Sequence, residues 1–223
     1  MRSFVLIPGA GGSAWVWSRV TPFLVEAGHE AIAVDLPGDD ETAGLPRYTE
    51  LVVDAIGSRA DVVLVAGSLG GFTAPLVCER VPVRELMLVN AMIPDPGEAA
   101  RDWWAHTGAL EAQDEAARAG GYGPFDVGTY FLHDVDAEVA AESEPYQRSE
   151  ADIVFGSICD FEAWPAIGIR VLSGDDDRSS RSARSAESLV TGSASRPTCF
   201  RAGTCCRSRS RGWRPTICWR RAA

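Results

Sequence analysis

Ser68 is the residue whose setting most suggests chemistry. It lies in Ala66-Gly67-Ser68-Leu69-Gly70-Gly71, where a β-branched run (residues 62–66) hands over to a helix-like stretch (residues 70–80). A serine with small residues two positions before and after it can stand exposed at the tip of a sharp strand-to-helix turn, as a nucleophile requires. Here the small residues are Ala66 and Gly70, with alanine where glycine is commoner. The same letters could also make a structural Gly/Ser turn in another α/β fold; the flanking strand and helix favour the nucleophile.

A second glycine-rich turn follows the first strand, in Pro8-Gly9-Ala10-Gly11-Gly12-Ser13-Ala14-Trp15. It is not a dinucleotide loop, because Ala14 stands where G-x-G-x-x-G needs its third glycine, and it lacks the G-K-[ST] of a phosphate loop. As a loop whose backbone N–H groups turn inward toward a developing oxyanion it fits well. A serine nucleophile also needs a base. The chain has three histidines: His29, His106 and His133. His29 reads as a surface turn residue. The other two could line a pocket, but neither sits where a base is expected.

These residues need elements to hold them. Residues 4–7, 31–35, 62–66 and 86–91 read as strands, and residues 15–27, 49–58 and 70–80 as helices. This β-α-β-α rhythm predicts an α/β fold with a mostly parallel sheet and helices on both faces. Residues 94–165 break the rhythm: they are rich in Ala, Glu and Asp, carry Trp103-Trp104 and read as an inserted small helical cap. A strand returns at residues 169–173, followed by Gly174-Asp175-Asp176-Asp177-Arg178. After residue 178 the periodicity ends, and residues 179–223 alone read as a disordered basic tail.

The chain has 223 residues, no lysine and a net charge of −10. The tail holds ten arginines against one acid, a charge of +9, so the first 178 residues carry −19. So acidic a body argues against nucleic-acid binding. No apolar run approaches the roughly 20 residues of a membrane helix, and the N-terminus lacks a signal-peptide layout, so a cytoplasmic protein is expected. Four of the six cysteines (Cys199, Cys205, Cys206, Cys218) are in the tail, without C-x-x-C spacing or nearby histidine, so no metal site is indicated. Cys78 and Cys159 read as buried small hydrophobes. No cofactor is implied; the expected partner is a small-molecule substrate, and the oligomeric state is left open.

Taken together, residues 3–178 resemble the α/β-hydrolase superfamily, most nearly its small esterase and hydroxynitrile-lyase-like group. The matching segments are FVLIPGAGGSAWVW, GHEAIAVDLPGDD, DVVLVAGSLGGFTAPLVCERVP, LMLVNAMIPDPGE and IRVLSGDDDR. Pro8 departs from the histidine that many relatives carry there. The resemblance implies Ser68 as nucleophile, the N–H groups of Ala10 and Leu69 as oxyanion donors, and Asp177 as the acid that orients the base, with Asp95 as the other acid position. It places Ser13 and Trp15 at the pocket entrance and lets Trp103 and Trp104 shape an apolar pocket. The implied activity is hydrolysis of a small carboxylic ester. A cyanohydrin lyase ranks lower, because such lyases usually want a cap lysine. An inactive or non-catalytic binding protein is the remaining alternative.

The implied order is Ser, Asp, His, yet every histidine precedes Asp177. A shifted reading frame accounts for this. Read one base earlier, Cys205-Cys206 gives leucine, and Gly203-Thr204 gives histidine if the glycine codon ends in C. With GC-rich codons, residues 179–183 become phe-phe-pro-leu-gly and residues 201–207 become pro-gly-gly-his-leu-leu-pro, strings like those that relatives carry after the acid and around the histidine. The domain then covers residues 1–178, its C-terminal strand and helix are disrupted, and a sheet edge is left exposed. Resequencing the coding DNA from about codon 170 to the stop is expected to reveal a missing or extra base near codon 178; an unaltered frame overturns this explanation.

Overall fold

In the computed structural model, residues 1–174 and 177–178 are described in full, and residues 198–202 and 219–221 as backbone only. The alternating first half folds as β1 (Ser3–Ile7), a 3-10 turn (Ala14–Trp17), α1 (Thr21–Glu26), β2 (Glu30–Ala33), α2 (Leu45–Ile56), β3 (Val62–Gly67), α3 (Gly70–Arg80) and β4 (Glu85–Val89). The unbroken apolar run of β3 suits a strand buried on both faces at the centre of a parallel sheet. Its alternate residues divide between two cores. Leu64 and Ala66 pack with residues of α2 and α3, whereas Val63 and Val65 pack beneath Trp17 and Leu24 on the opposite face. Helices therefore cover both faces.

Two helices differ from the sequence expectation. The helix predicted over residues 15–27 is split into the 3-10 turn and α1, because Pro22 lacks an N–H and belongs in a helix's first turn. Pro46 likewise starts α2 earlier than residue 49, and Gly57, at φ +56°, ends it. The apolar stripe of α2, Leu45, Tyr48, Val52 and Ile56, faces the core at helical spacing.

Between β4 and the next sheet strand lie β5 (Glu98–Ala99), α4 (Ala100–Thr107), α5 (Ala109–Gly120), α6 (Val127–Phe131), α7 (Ala137–Ser143), α8 (Asp152–Gly156) and β6 (Ile158–Cys159). β5 and β6 form a small antiparallel pair. Two indoles pin this layer to the loop after β4: Trp103 Nε1 donates to the Ile93 carbonyl at 3.1 Å and Trp164 Nε1 to Pro94 at 3.2 Å. Cys159 is buried, with its Sγ 3.0 Å from the Phe72 carbonyl, and burial pushes the half-buried Cys78 thiol up to about 12, as suits small apolar core residues.

β7 (Gly168–Gly174) returns beside β4 in parallel. The sequence predicts that β7 is then left as an exposed edge. Instead β8 (Thr198–Ala202) pairs with it in parallel and β9 (Trp219–Arg221) pairs with β8 antiparallel, giving the order β2-β1-β3-β4-β7-β8-β9. An unpaired row of strand N–H and C=O groups is a template for further pairing, and residues 198–200, Thr-Cys-Phe, are compatible with a strand. The remaining tail residues, including Gly203-Thr204, Cys205, Cys206 and Cys218, lie outside the described residues. Among the described residues no helix is long and apolar enough to cross a membrane.

Leu64 is fully buried. Leu64→Ala is expected to lower stability by about 3 kcal/mol in urea unfolding, the usual cost of a core cavity, whereas Leu110→Ala, 52% exposed in the cap, is expected to change it by less than about 0.5 kcal/mol.

Candidate active site

β1, β3, β4 and β7 are mutually parallel, so the segments that leave them gather at one edge of the sheet. Ser68 is on the turn between β3 and α3. Its φ is +47°, a left-handed value that a non-glycine residue adopts only when its surroundings enforce it. Three backbone hydrogen bonds do so. The Ser68 N–H donates to Val89 at 3.3 Å, and its carbonyl accepts from Gly71 at 3.0 Å and Met92 at 2.9 Å. The side chain is left exposed while Leu69 behind it is buried.

The glycine turn after β1 lies directly against this serine. A Cβ on Gly9 would stand 2.8 Å from Ser68 Cβ and 3.4 Å from its Oγ, and one on Gly70 would stand 2.5 Å from the Pro8 carbonyl oxygen. The spacing of small residues therefore permits two backbones to touch. Ala10 is exposed beside Ser68, and among the described residues neither the Ala10 nor the Leu69 N–H donates a hydrogen bond. Leu69 is also the N-cap of α3, where helix geometry leaves amides without internal partners.

The other residues singled out in the sequence are placed as follows. Asp177 follows β7, two strands from Ser68 in the sheet; it is half-buried, and its N–H donates to Gly174 at 3.4 Å. Asp175 and Asp176 lie outside the described residues. Ser13 is buried and its Oγ accepts from the Trp15 N–H at 3.4 Å. Trp15 is half-buried and stacks on Tyr146 at 5.7 Å. Trp103, expected at the pocket, is packed into the main core at 3% exposure, with Trp104 edge-on to it at 6.0 Å.

Among the described residues no hydrogen bond, ion pair or ring contact joins any of the three histidines to Ser68. His29 precedes β2 and packs on Phe4 at 5.2 Å, at the opposite edge of the parallel sheet. His106, on α4, binds Glu98 at 2.9 Å and lies 3.6 Å from Asp95, so both the cap histidine and the second acid position face each other. A cavity of about 310 Å³ between α4 and α5 is lined by His106, Glu111 and Glu115 and by none of the predicted site residues. Both ring nitrogens of His133 are buried without a partner among the described residues.

Several residues at this edge escaped the sequence reading. Asn90 ends β4 with φ +43°, and its Oδ1 accepts from the Gly174 N–H at 3.1 Å, tying the ends of β4 and β7 together. Its only sequence signal is an Asn at a strand end, where positive φ is tolerated. Trp17 packs on Gly67, and its buried Nε1 has no partner among the described residues. Arg148 holds Asp35 through two hydrogen bonds of 2.8 and 3.0 Å, and Asp35 accepts from the Ala14 N–H at 2.9 Å. Burial pushes the Asp35 carboxyl up, but these donors outweigh it and hold it below the ordinary value. Among the described residues there is no group of ligands suited to a metal ion.

Comparisons with known proteins bear on the family and the fold. A model of the alpha/beta hydrolase family matches residues 4–203. Over 109 residues the chain is 35% identical to a probable esterase, PIR7A, of Oryza sativa subsp. indica, a match covering 44% of this chain and 41% of the relative. It is 36% identical over 107 residues to methyl jasmonate esterase 1 of Vitis vinifera, covering 43% and 41%. The chain thus spans about two fifths of the length of the curated relatives it matches. Among solved structures, an extracellular alpha/beta-hydrolase from a Paenibacillus species superposes with TM-score 0.69 at 19% identity over 94% of both chains. Polyneuridine aldehyde esterase superposes with TM-score 0.68 at 20% identity over 91% of this chain and 92% of its own.

The contact with Glu98 raises the His106 pKa above its ordinary value of 6.5. A raised histidine stabilises the fold fully below its unfolded pKa and ceases to do so as pH rises through the folded value. A ring-proton titration by NMR is therefore expected to give a midpoint above 6.5 for His106 and a lower one in Glu98→Gln; a midpoint unmoved by Glu98→Gln would contradict the pairing.

Proposed function

The chain belongs to the alpha/beta hydrolase family, and from that premise we propose that it is a serine hydrolase of small carboxylic esters built around Ser68. The observation that carries the proposal is the strained, exposed Ser68 turn with the Gly9–Ala10 backbone packed against it and two amides left without acceptors among the described residues. Ser68 Oγ attacks the ester carbonyl carbon while its proton passes to the base, and the tetrahedral intermediate collapses to an acyl-serine as the ester C–O bond breaks. The alcohol leaves with a proton from the base, and water then releases the acid by the reverse steps. The N–H groups of Ala10 and Leu69 hold the oxyanion. Asp177 orients the base.

The base itself is the missing part. His29 is at the wrong edge of the sheet, His106 is held by carboxylates, and among the described residues no hydrogen bond joins His133, in the cap, to Ser68. We propose that the histidine is encoded one base out of frame at Gly203-Thr204. Further support needs no choice of codons. In the shifted frame Cys218-Trp219 always reads leucine, and Trp213-Arg214 and Trp219-Arg220 read only alanine or glutamate, residues that favour a helix. As the chain stands, the second reading is an inactive protein with the esterase fold, favoured by the lack of any histidine after Asp177.

With the frame restored, the protein is expected to hydrolyse p-nitrophenyl acetate and to be labelled by a fluorophosphonate at Ser68. Ser68→Ala, or the chain as given, is expected to be slower by about 10³-fold or more. Labelling that persists in Ser68→Ala removes the proposal, and full activity of the chain as given removes the need for a restored base.

A further inference from the structure

The glycine turn beside Ser68 is not held by its own strand. It is held by the segment that leaves the cap. Glu142 forms an ion pair with Arg19, Tyr146 stacks on Trp15 at 5.7 Å, and Arg148 reaches Asp35, which accepts from the Ala14 N–H at 2.9 Å. The next contact in the series is Glu150. Its Oε2 accepts from the Gly11 N–H at 2.5 Å and its Oε1 from the Tyr48 hydroxyl at 2.6 Å. The Ala151 N–H donates to Gly38 at 2.7 Å. Side chains on Gly11 and Gly38 would collide with the Arg148 carbonyl and the Gly11 backbone respectively, so these three segments meet with no room for a Cβ.

We infer that Glu150 is a positioning residue: by accepting from the Gly11 N–H it fixes the Gly9–Gly12 turn, and through that turn the direction of the Ala10 N–H beside Ser68. The inference rests on Ala10 being an oxyanion donor. It follows from the placement of a carboxylate where one is costly. A half-buried carboxylate needs strong donors to stay ionised, and both oxygens of Glu150 have one. Burial nevertheless lifts its carboxyl above the ordinary range, against the opposing pull of Tyr48 and the Gly11 amide. The Gly11 N–H shares its peptide plane with the Ala10 carbonyl, so Glu150 anchors that plane directly and reaches the Ala10 N–H, in the preceding peptide, through the closed Gly9–Gly12 turn. The Gly12 N–H donates to Gly9 at 3.1 Å and closes the turn from within, but this bond does not set the turn's angle to Ser68. Glu150 does, from 139 residues away, together with the Leu36 N–H, which donates to the Gly12 carbonyl at 2.8 Å.

The test uses the full chain and phenylboronic acid, which adds to a serine oxygen. An Oγ–B bond forms, no bond to boron breaks, and the hydroxyl proton passes to solvent, leaving a tetrahedral adduct whose oxygen occupies the oxyanion position. Glu150→Ala is expected to weaken boronate binding by about tenfold, less than the effect of deleting a donor outright, and Glu150→Gln, which keeps an acceptor oxygen, is expected to recover most of the loss. Tyr48→Phe, a gentler change should the alanine variant fail to fold, is expected to fall between. In parallel, the Gly11 amide is expected to exchange with solvent at least about tenfold faster in Glu150→Ala at matched global stability. Boronate affinity unchanged in Glu150→Ala overturns the inference. If the parent chain binds no boronate, the missing base accounts for it and the esterase proposal is decided on the frame-restored protein; the Gly11 exchange rate then decides by itself whether Glu150 holds the turn, and unchanged exchange overturns the inference.

Discussion

Ser68 keeps a φ of +47° because three backbone hydrogen bonds leave it no other choice, and the rest of the edge is arranged around that fact. Its N–H is spent on β4 and its carbonyl on the first turn of α3 and on Met92 in the loop after β4. A residue so fixed has only its side chain free, and Ser68 is exposed. The turn can be this tight only if what crosses it is thin. Gly9 and Gly70 supply that thinness, since a Cβ at either would meet Ser68 or Pro8 within 2.8 Å. The glycines of the two motifs are therefore one requirement seen from two places in the chain: two backbones must touch.

A loop made thin by glycine is also a loop without stiffness of its own. Glycine carries more conformational freedom than any other residue, and a run of Gly-Ala-Gly-Gly pays that entropy when it orders. The stiffness is imported. Asp35 holds the Ala14 amide, Leu36 and Gly38 pack against Gly12 and Gly11, and residues 142–151 close over the outside. The cap segment thus has two duties: it covers the sheet edge, and it gives the glycine turn a definite shape. Arg148 and Glu150 serve the second duty with opposite charges two residues apart, one acting through Asp35 and the other directly on a backbone amide.

This division explains what the sequence made legible. The Ser68 turn and the glycine loop could be read because each is local: residue types at fixed spacing, flanked by runs of the right period. The α3 boundaries, Gly70–Arg80, were predicted as observed, since a buried strand and a glycine pair mark the start. Glu150, Tyr48 and Arg148 could not be read. Their partners are 139, 102 and 113 residues away, and nothing in an isolated Glu or Arg says which loop it will brace. The depth of Trp103 was not legible either: an aromatic in a cap can face outward or inward, and its hydrogen bond to Ile93 draws it into the core. The split of the first helix was legible in Pro22, whose missing N–H marks a start rather than an interior.

The base poses a problem of direction. In a parallel sheet every strand delivers its successor to the same edge, so whatever follows β3, β4 and β7 arrives near Ser68, and whatever precedes a strand does not. His29 precedes β2 and is excluded by this alone. β8 runs parallel to β7 in register from Arg170–Thr198 to Gly174–Ala202, so its end lies at the same edge as Ser68 and Asn90. The next two residues in the sequence are Gly203 and Thr204, the pair whose codons can spell histidine one base earlier. The proposal for the base therefore asks only that a strand in the place of β8 end at this edge, as β8 does.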